Sequence, residues 1–284
     1  MSKKEIPGSI LAQQTFESAQ KKAKKTLFHS PEYIDAVTEF VDAAKMFTKE
    51  GLYKRAAESY ELAAENAKKA DTELSAAVYY RDAANSLAKG VQQGSAGCED
   101  QKALELYQLS SNVFQRAGKF LDSARSLLAA SCYCKNKLDK PKLLSQAMEL
   151  FQQENKPNQA AAAVSDLIDE LIDGKNFQEA ANIIPRAIQM YSKMKGYGHK
   201  VDAMCLTFII ISLTVEDTVG AETYLDKYDN FNGDEYQMGE QLVNAFKNKS
   251  RDELEIARKN LGGKLALGNS QLYLLRDLKI GEDV

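Results

Sequence analysis

The chain has 284 residues, five prolines and no tryptophan, and 44% of its residues are hydrophobic. This composition favours closely packed helices over a β-rich core. The net charge of -3 argues against general nucleic-acid binding. That charge is uneven, because residues 1–25 hold six lysines and two glutamates, whereas residues 216–256 hold eleven acids and four bases. The imbalance predicts two different partners at two ends of the molecule.

About fourteen helices are predicted in chain order. The first four run from about Ser9 to Thr26, from Pro31 to near Gly51, from about Tyr53 to Lys69, and from Asp71 or Thr72 to Gly90. Residues 91–99 then form a loop. Later helices alternate with turns near residues 118, 136, 155 and 174, and Pro185 falls inside a helical pattern. We expect an array of helices over residues 1–198 and a helical bundle over residues 199–284.

A hairpin signature recurs in this array. It combines a small residue, an aromatic four positions later, two more small residues and a helix-ending residue. Its copies are Ala36, Phe40, Ala43, Ala44 and Gly51, then Ala103, Tyr107, Ser110, Ser111 and Gly118, and a third with Phe151, Asn155 and Ala161. The glycines are 67 residues apart (118 minus 51), which we attribute to the 91–99 loop inserted into a shorter repeat. Repeated helical units predict a solenoid.

Basic residues accompany these turns. They are Lys54 and Arg55 after Gly51, Arg116 and Lys119 around Gly118, and Lys156 after Asn155. If equivalent turns line up along one edge, the cations form a stripe that suits an acidic helical partner. The alternative is ordinary charge at helix C-termini, where cations offset the helix dipole.

A second candidate site is the turn after the first helix. Leu27 and Phe28 are apolar and follow several lysines, including Lys24 and Lys25. Such a turn can insert into a headgroup layer while the ammonium groups meet anionic lipid. The alternative is a hydrophobic staple that folds back on its own helices.

A third candidate is the acidic far end. Its acids are Asp234, Glu235, Asp252, Glu253 and Glu255, and they either dock on a basic partner or form a solvated surface. The apolar tail that contains Leu278 and Ile280 either packs on the bundle or reaches a partner. No phosphate-binding loop, nucleophile elbow or metal-ligand spacing occurs, so we expect no enzyme activity, no cofactor and no metal.

The order and spacing of these features resemble one known family over nearly the whole chain. The basic first helix, Leu27-Phe28, and the run from Tyr33 through Ala36, Phe40 and Ala43 are similar to the opening of soluble NSF attachment proteins. Residues 103–107 through Phe114, and residues 231–235 followed by 240–242, most resemble the gamma branch of that family.

The resemblance implies a right-handed superhelix of TPR-like helical hairpins capped by a helical bundle. It also implies a cytoplasmic adaptor, monomeric when free and peripheral on membranes, that grips SNARE complexes (syntaxin and other SNAREs) and recruits the hexameric ATPase NSF. On this interpretation Leu27, Phe28, Lys24 and Lys25 contact the membrane, the cations at the turns bind SNAREs, and the acids with Leu278 and Ile280 bind the ATPase. The alternative is a general TPR-like scaffold that binds peptides or helical partners outside membrane fusion.

Overall fold

The computed structural model describes residues 8–25, 30–227, 233–259 and 265–281, and the secondary structure of these residues is entirely helical. The helices are α1 Gly8–Ala23, α2 Tyr33–Lys49, α3 Tyr53–Lys69, α4 Glu73–Gln92, α5 Asp100–Arg116, α6 Phe120–Ser131, α7 Lys140–Gln153, α8 Pro157–Asp173, α9 Phe177–Ser192, α10 Gly198–Thr214, α11 Thr218–Lys227, α12 Gly233–Lys247, α13 Arg251–Lys259 and α14 Asn269–Asp277. The predicted all-α class of TPR-like hairpins, with about fourteen helices, is confirmed over these ranges.

The helices form two compact units. Unit 1 is Met1–Asn155 and unit 2 is Lys156–Val284. In unit 1 each helix from α1 to α7 packs on its neighbours in the chain, as expected of stacked hairpins. The boundary expected at residue 198 stays a prediction.

The hairpin signature marks buried helix faces. In α2, Ala36, Ala43 and Ala44 are fully buried and Phe40 is 1% exposed. The small residues let the next helix approach closely, while the aromatic ring fills the adjacent groove. The equivalent residues of α5 are buried in the same way. The signature therefore marks residues that pack between helices, and its prediction of helical hairpins is confirmed.

The helix ends use one turn repeatedly. After α2, Gly51 takes a φ of +72° and the Leu52 N–H bonds to the Phe47 carbonyl, and Gly118 repeats this after α5 with a φ of +68°. This is the hydrogen bond of a Schellman cap, which needs a left-handed residue after the helix. One residue later the next helix begins, so each turn reverses the chain with very few residues.

Neighbouring helices in unit 1 run antiparallel. Lys69 Nζ at the end of α3 lies 5.8 Å from the centre of the Tyr33 ring at the start of α2. Lys89 Nζ near the end of α4 lies 5.3 Å from the centre of the Tyr53 ring at the start of α3. In α5 the Ser110 hydroxyl donates to the Ala77 carbonyl near the start of α4, at 2.8 Å.

The turns of unit 1 therefore alternate between two edges. The first edge carries the α1–α2, α3–α4 and α5–α6 turns, and the second edge carries the α2–α3, α4–α5 and α6–α7 turns. An ion pair of 2.6 Å between Lys135, after α6, and Asp100, at the start of α5, belongs to the second edge.

This alternation corrects the expectation of one basic stripe. Gly51 lies on the second edge and Gly118 on the first, because α3, α4 and α5 separate them. The interval of 67 residues thus contains three helices, and its explanation as a loop inserted into a shorter repeat is wrong. Since α4 has 20 residues, the two edges are about 30 Å apart.

Unit 2 is built around α10, which packs against α9, α11, α12 and α14. Its residues from Ala203 to Leu213 are buried with the exception of Phe208, which is half-buried. This explains the long apolar run. Within the described part of the chain, no helix combines the length and the apolar character needed to cross a bilayer.

Candidate functional site

Four of the five predicted partner-binding cations stand at the beginning of a helix. Lys54 and Arg55 are in the first turn of α3, Lys119 is the N-cap of α6 and Lys156 is the N-cap of α8. Cations at a helix N-terminus oppose the helix dipole. The alternative explanation by helix C-terminal charge applies to Arg116, which ends α5, and also to Lys119 and Lys156, which directly follow the left-handed residues Gly118 and Asn155 after α5 and α7.

Arg55 is committed to contacts inside unit 1. Its guanidinium carbon lies 4.8 Å from the centre of the Phe16 ring and 5.3 Å from that of Phe47. Nη2 donates to Gln13 Oε1 at 2.6 Å, and Nη1 pairs with Glu58 at 3.2 Å. Arg55 thus joins α3 to α1 and α2, and these contacts explain why a cation is tolerated at that helix start.

Lys54 is exposed, and its aliphatic stem supports the loop between α4 and α5. A Cβ added at Gly97 would lie 2.8 Å from Lys54 Cδ, so this loop position accepts no side chain without movement. Residues 91–99 are predicted to form a loop. In the structure the first two of them still belong to α4, which ends at Gln92.

Most cations of the other turns are open to solvent. Arg116 and Lys119 are exposed on the first edge, and Lys156 is half-buried at the start of unit 2. Lys24 and Lys25 are exposed after α1. Leu27 and Phe28 lie outside the described residues, so their predicted membrane contact stays a prediction.

The two acids at the start of α12 differ in environment. Asp234 is exposed, whereas Glu235 is 9% exposed and its Oε1 accepts a hydrogen bond of 2.8 Å from the Ala266 N–H. Glu235 therefore holds the segment before α14. In this conformation its carboxylate is not available to a partner, contrary to its selection from the sequence.

The three acids of α13 also have different local roles. Asp252 and Glu253 are exposed in the first turn, where acids stabilise a helix, and the Glu253 N–H is capped by Ser250 Oγ at 3.2 Å. Glu255 is exposed but forms a 2.6 Å ion pair with Arg258. Ile256, which the sequence pattern did not single out, is 58% exposed beside Asp252 and Glu253.

The tail packs against α13. Leu278 is 2% exposed and Ile280 is half-buried. Together with residues of α13 they line a groove of about 500 Å³, whose walls are Arg251, Leu254, Glu255, Arg258, Leu278, Lys279, Ile280 and Gly281. Of the two interpretations of the tail, packing on the bundle describes Leu278, whereas contact of Ile280 with a partner stays a prediction. Leu278 therefore cannot contact a partner unless the tail moves.

Asp169 on α8 has an environment that the sequence pattern does not predict. Burial, followed by the charges of Asp173 and Asp166, raises the pKa of Asp169 to about 6. Asp169 Oδ1 accepts a hydrogen bond of 3.2 Å from Gln271 Nε2 of α14. The spacing of Asp166, Asp169, Glu170 and Asp173 is visible in the sequence as one helix face, but the helix that covers it is not.

Comparison with known proteins gives a family and a relative. The family model described as "Soluble NSF attachment protein, SNAP" matches residues 11–260. The gamma-soluble NSF attachment protein of Dictyostelium discoideum is 23% identical over 249 residues, which are 81% of this chain and 74% of that protein. Both findings agree with the resemblance seen in the sequence.

Two solved structures of low similarity accompany these matches. BtubC (BKLC) of P. vanneervenii has a TM-score of 0.42 and 17% identity, covering 84% of this chain and 92% of its own. The TPR domain of P58(IPK) has a TM-score of 0.23 and 12% identity, covering 93% of this chain and 96% of its own. Neither likeness bears on function.

Proposed function

This chain belongs to the soluble NSF attachment protein family, and we propose that it is an adaptor that binds assembled SNARE complexes and recruits the NSF ATPase to dismantle them. The family match over residues 11–260 carries this proposal, since it includes nearly all of unit 1 and unit 2 as far as α13. The adaptor is a cytoplasmic monomer when free and is peripheral on membranes, with a weak contact at Leu27, Phe28, Lys24 and Lys25.

The cations of unit 1 are the SNARE-binding candidates. Lys54 stands in the first turn of α3, where a cation opposes the helix dipole, and Arg116 and Lys119 are exposed at the turn between α5 and α6. Because the two turns lie on opposite edges about 30 Å apart, one partner reaches both only by lying across the layer of helices. We therefore place the acidic helical bundle across unit 1, in contact with Lys54 on one edge and with Arg116 and Lys119 on the other. Lys156, at the start of unit 2, is a separate candidate.

The exposed acids of unit 2 are the ATPase-binding candidates. Asp234, Asp252 and Glu253 are open to solvent, and Glu255 adds charge beside the tail groove. Complementary charge governs association rate and partner choice more than total affinity, and salt screens it. The acids should therefore matter most at low ionic strength.

A two-partner binding assay tests the proposal. The purified chain is mixed with an assembled SNARE complex and with NSF hexamers, separately and together, at low salt. Changing Lys54, Arg116 and Lys119 to glutamate should weaken SNARE binding at least 10-fold. Changing Asp252, Glu253 and Glu255 to their amides should weaken ATPase recruitment and leave SNARE binding intact.

The amides keep most hydrogen bonds of α13, whereas lysines would also destabilise its first turn. The matched control changes Asp35→Asn and Glu73→Gln, exposed acids in the first turns of α2 and α4. It should leave ATPase recruitment unchanged. An α13 variant that recruits the ATPase like the unmodified chain, or that loses SNARE binding too, contradicts the assignment.

A further inference from the structure

The last helix is joined to α8 by one buried polar side chain. Gln271 is 3% exposed, and its Oε1 accepts a 2.6 Å hydrogen bond from the Gly268 N–H, which closes the first turn of α14. Its Nε2 donates to Asp169 Oδ1 at 3.2 Å. The Gln271 side chain that caps the start of α14 thus also holds this helix on α8, and Leu275 of the same helix is fully buried.

The partner carboxylate lies in a strongly anionic setting. Asp166, Glu170 and Asp173 are on the same face of α8, and Lys200 of α10 is the cation that acts on Asp169. From α9 the Tyr191 hydroxyl is bonded to the Ala161 carbonyl. The groups of α14 that face Asp169 are the neutral Gln271 side chain and the backbone at Gly268. A Cβ added at Gly268 would lie 3.5 Å from Asp169 Oδ1. Closing α14 over an ionised Asp169 therefore removes water without supplying a cation.

We propose that this contact is a proton-operated latch, in which α14 stays docked while Asp169 is neutral and is released more readily when Asp169 is ionised. A neutral carboxyl avoids the repulsion from its three neighbours and still accepts the bond from Gln271. Ionisation restores the repulsion and leaves a half-buried charge that receives no cation from α14.

The pH range follows from the raised pKa of Asp169. Its docked value of about 6 lies above the ordinary 3.8, so the docked form binds the proton more tightly. Docking is therefore strongest below about pH 4 and weakens as the pH rises through about 6. A shift of this size corresponds to a change of roughly 100-fold in the docking equilibrium when all of it is lost on release.

The tail is carried by α14. Residues 278–281 follow α14 directly and form one wall of the groove along α13, with Leu278 buried there. Release of α14 would free the tail and open that groove. This last step rests on the proposed function: the latch would then make the exposure of the ATPase-binding surface depend on pH.

Amide hydrogen exchange tests the latch on the full chain without any partner. Protection of residues 269–278 is measured at pH 5 and pH 8, after correction for the intrinsic exchange rate at each pH. We expect protection in α14 to fall by about 10-fold between these values, which is the full change available because pH 5 lies only one unit below the docked pKa of Asp169, while α12 changes far less. In Asp169→Asn, which keeps an acceptor for Gln271, α14 should stay protected at both pH values.

Asp173→Asn is the matched control, because it removes a neighbouring charge and keeps Asp169 itself. It should retain the pH-dependent loss of protection, with a midpoint at lower pH than in the unmodified chain, because one of the charges that raise the pKa of Asp169 is gone. Protection in α14 that is independent of pH, or an Asp169→Asn variant that still loses it at pH 8, overturns the latch. Neither result affects the adaptor proposal, which the binding assay tests separately.

Discussion

At the scale of single residues, the left-handed position after each helix decides how compactly the chain reverses. Gly51 and Gly118 occupy it without strain, and no atoms lie near a Cβ added at either. Elsewhere the same conformation falls on residues with side chains: Asp71, Asn155, Lys175, Glu216 and Lys249. For each of these residues the left-handed conformation has a higher free energy than it has for glycine.

Lys175 offers a direct test, because it is exposed and Gly174 precedes it. Lys175 has a φ of +58°, whereas Gly174 has a right-handed φ of -80° that any residue accepts. We predict that Lys175→Gly raises the free energy of unfolding by roughly 0.5–1 kcal/mol, since relief of the left-handed strain exceeds the entropy that glycine adds to the unfolded chain. Thermal or urea unfolding measures it.

The control for this prediction is Gly118→Ala, which should lower stability because alanine must adopt a φ of +68°. A loss of stability in Lys175→Gly would show that the lysine side chain contributes more than its strained backbone costs.

The sequence revealed these turns better than it revealed side-chain environments. Glycine and asparagine after an apolar run are local signals, so Gly51, Gly118 and Asn155 were assigned as helix ends. The burial of Glu235 and of Leu278 depends on segments distant in the chain, namely the residues before α14 and the face of α13. No pattern within α12 or the tail encodes those neighbours, so both residues were assigned to a partner.

At the scale of helices, the direction of each element determines which cations can act together. The helices predicted from the sequence already include those between the two copies, but the expectation of one basic stripe takes no account of their alternating directions. With α3, α4 and α5 in between, Gly51 and Gly118 lie on opposite edges. Every added antiparallel helix moves the next turn to the other edge. The number of helices between two turns, rather than the number of residues, therefore determines whether the turns share an edge.

Arg55 illustrates how a cation chosen for binding can instead hold an element in place. We predict that Arg55→Lys, which keeps the charge, lowers the free energy of unfolding by about 1–2 kcal/mol. Lysine cannot lie over two aromatic rings while it bonds to both Gln13 and Glu58. Thermal unfolding gives the stability, and SNARE binding of the folded variant should be unchanged.

Lys54→Arg is the matched control at the neighbouring, exposed position, and it should leave stability within about 0.5 kcal/mol. If Arg55→Lys is as stable as the unmodified chain, the guanidinium contacts contribute little and the residue becomes available again as a binding candidate.

At the scale of the whole molecule, the two units differ in what they present. Unit 1 offers exposed lysines and arginines at its helix turns, and unit 2 offers exposed acids in α12 and α13 together with a tail groove. The expectation of two partners, which rests on the lysines of residues 1–25 and the acids of residues 216–256, stays a prediction.

The most direct test of the adaptor account is a disassembly assay. Purified SNARE complex, NSF and ATP are incubated with and without this chain, and the release of SNARE subunits is followed over time. The account predicts disassembly that depends on the chain and is reduced at least 10-fold by the amide variant of Asp252, Glu253 and Glu255. Disassembly at the same rate without the chain, or none with it under conditions where an authentic family member is active, would contradict the account.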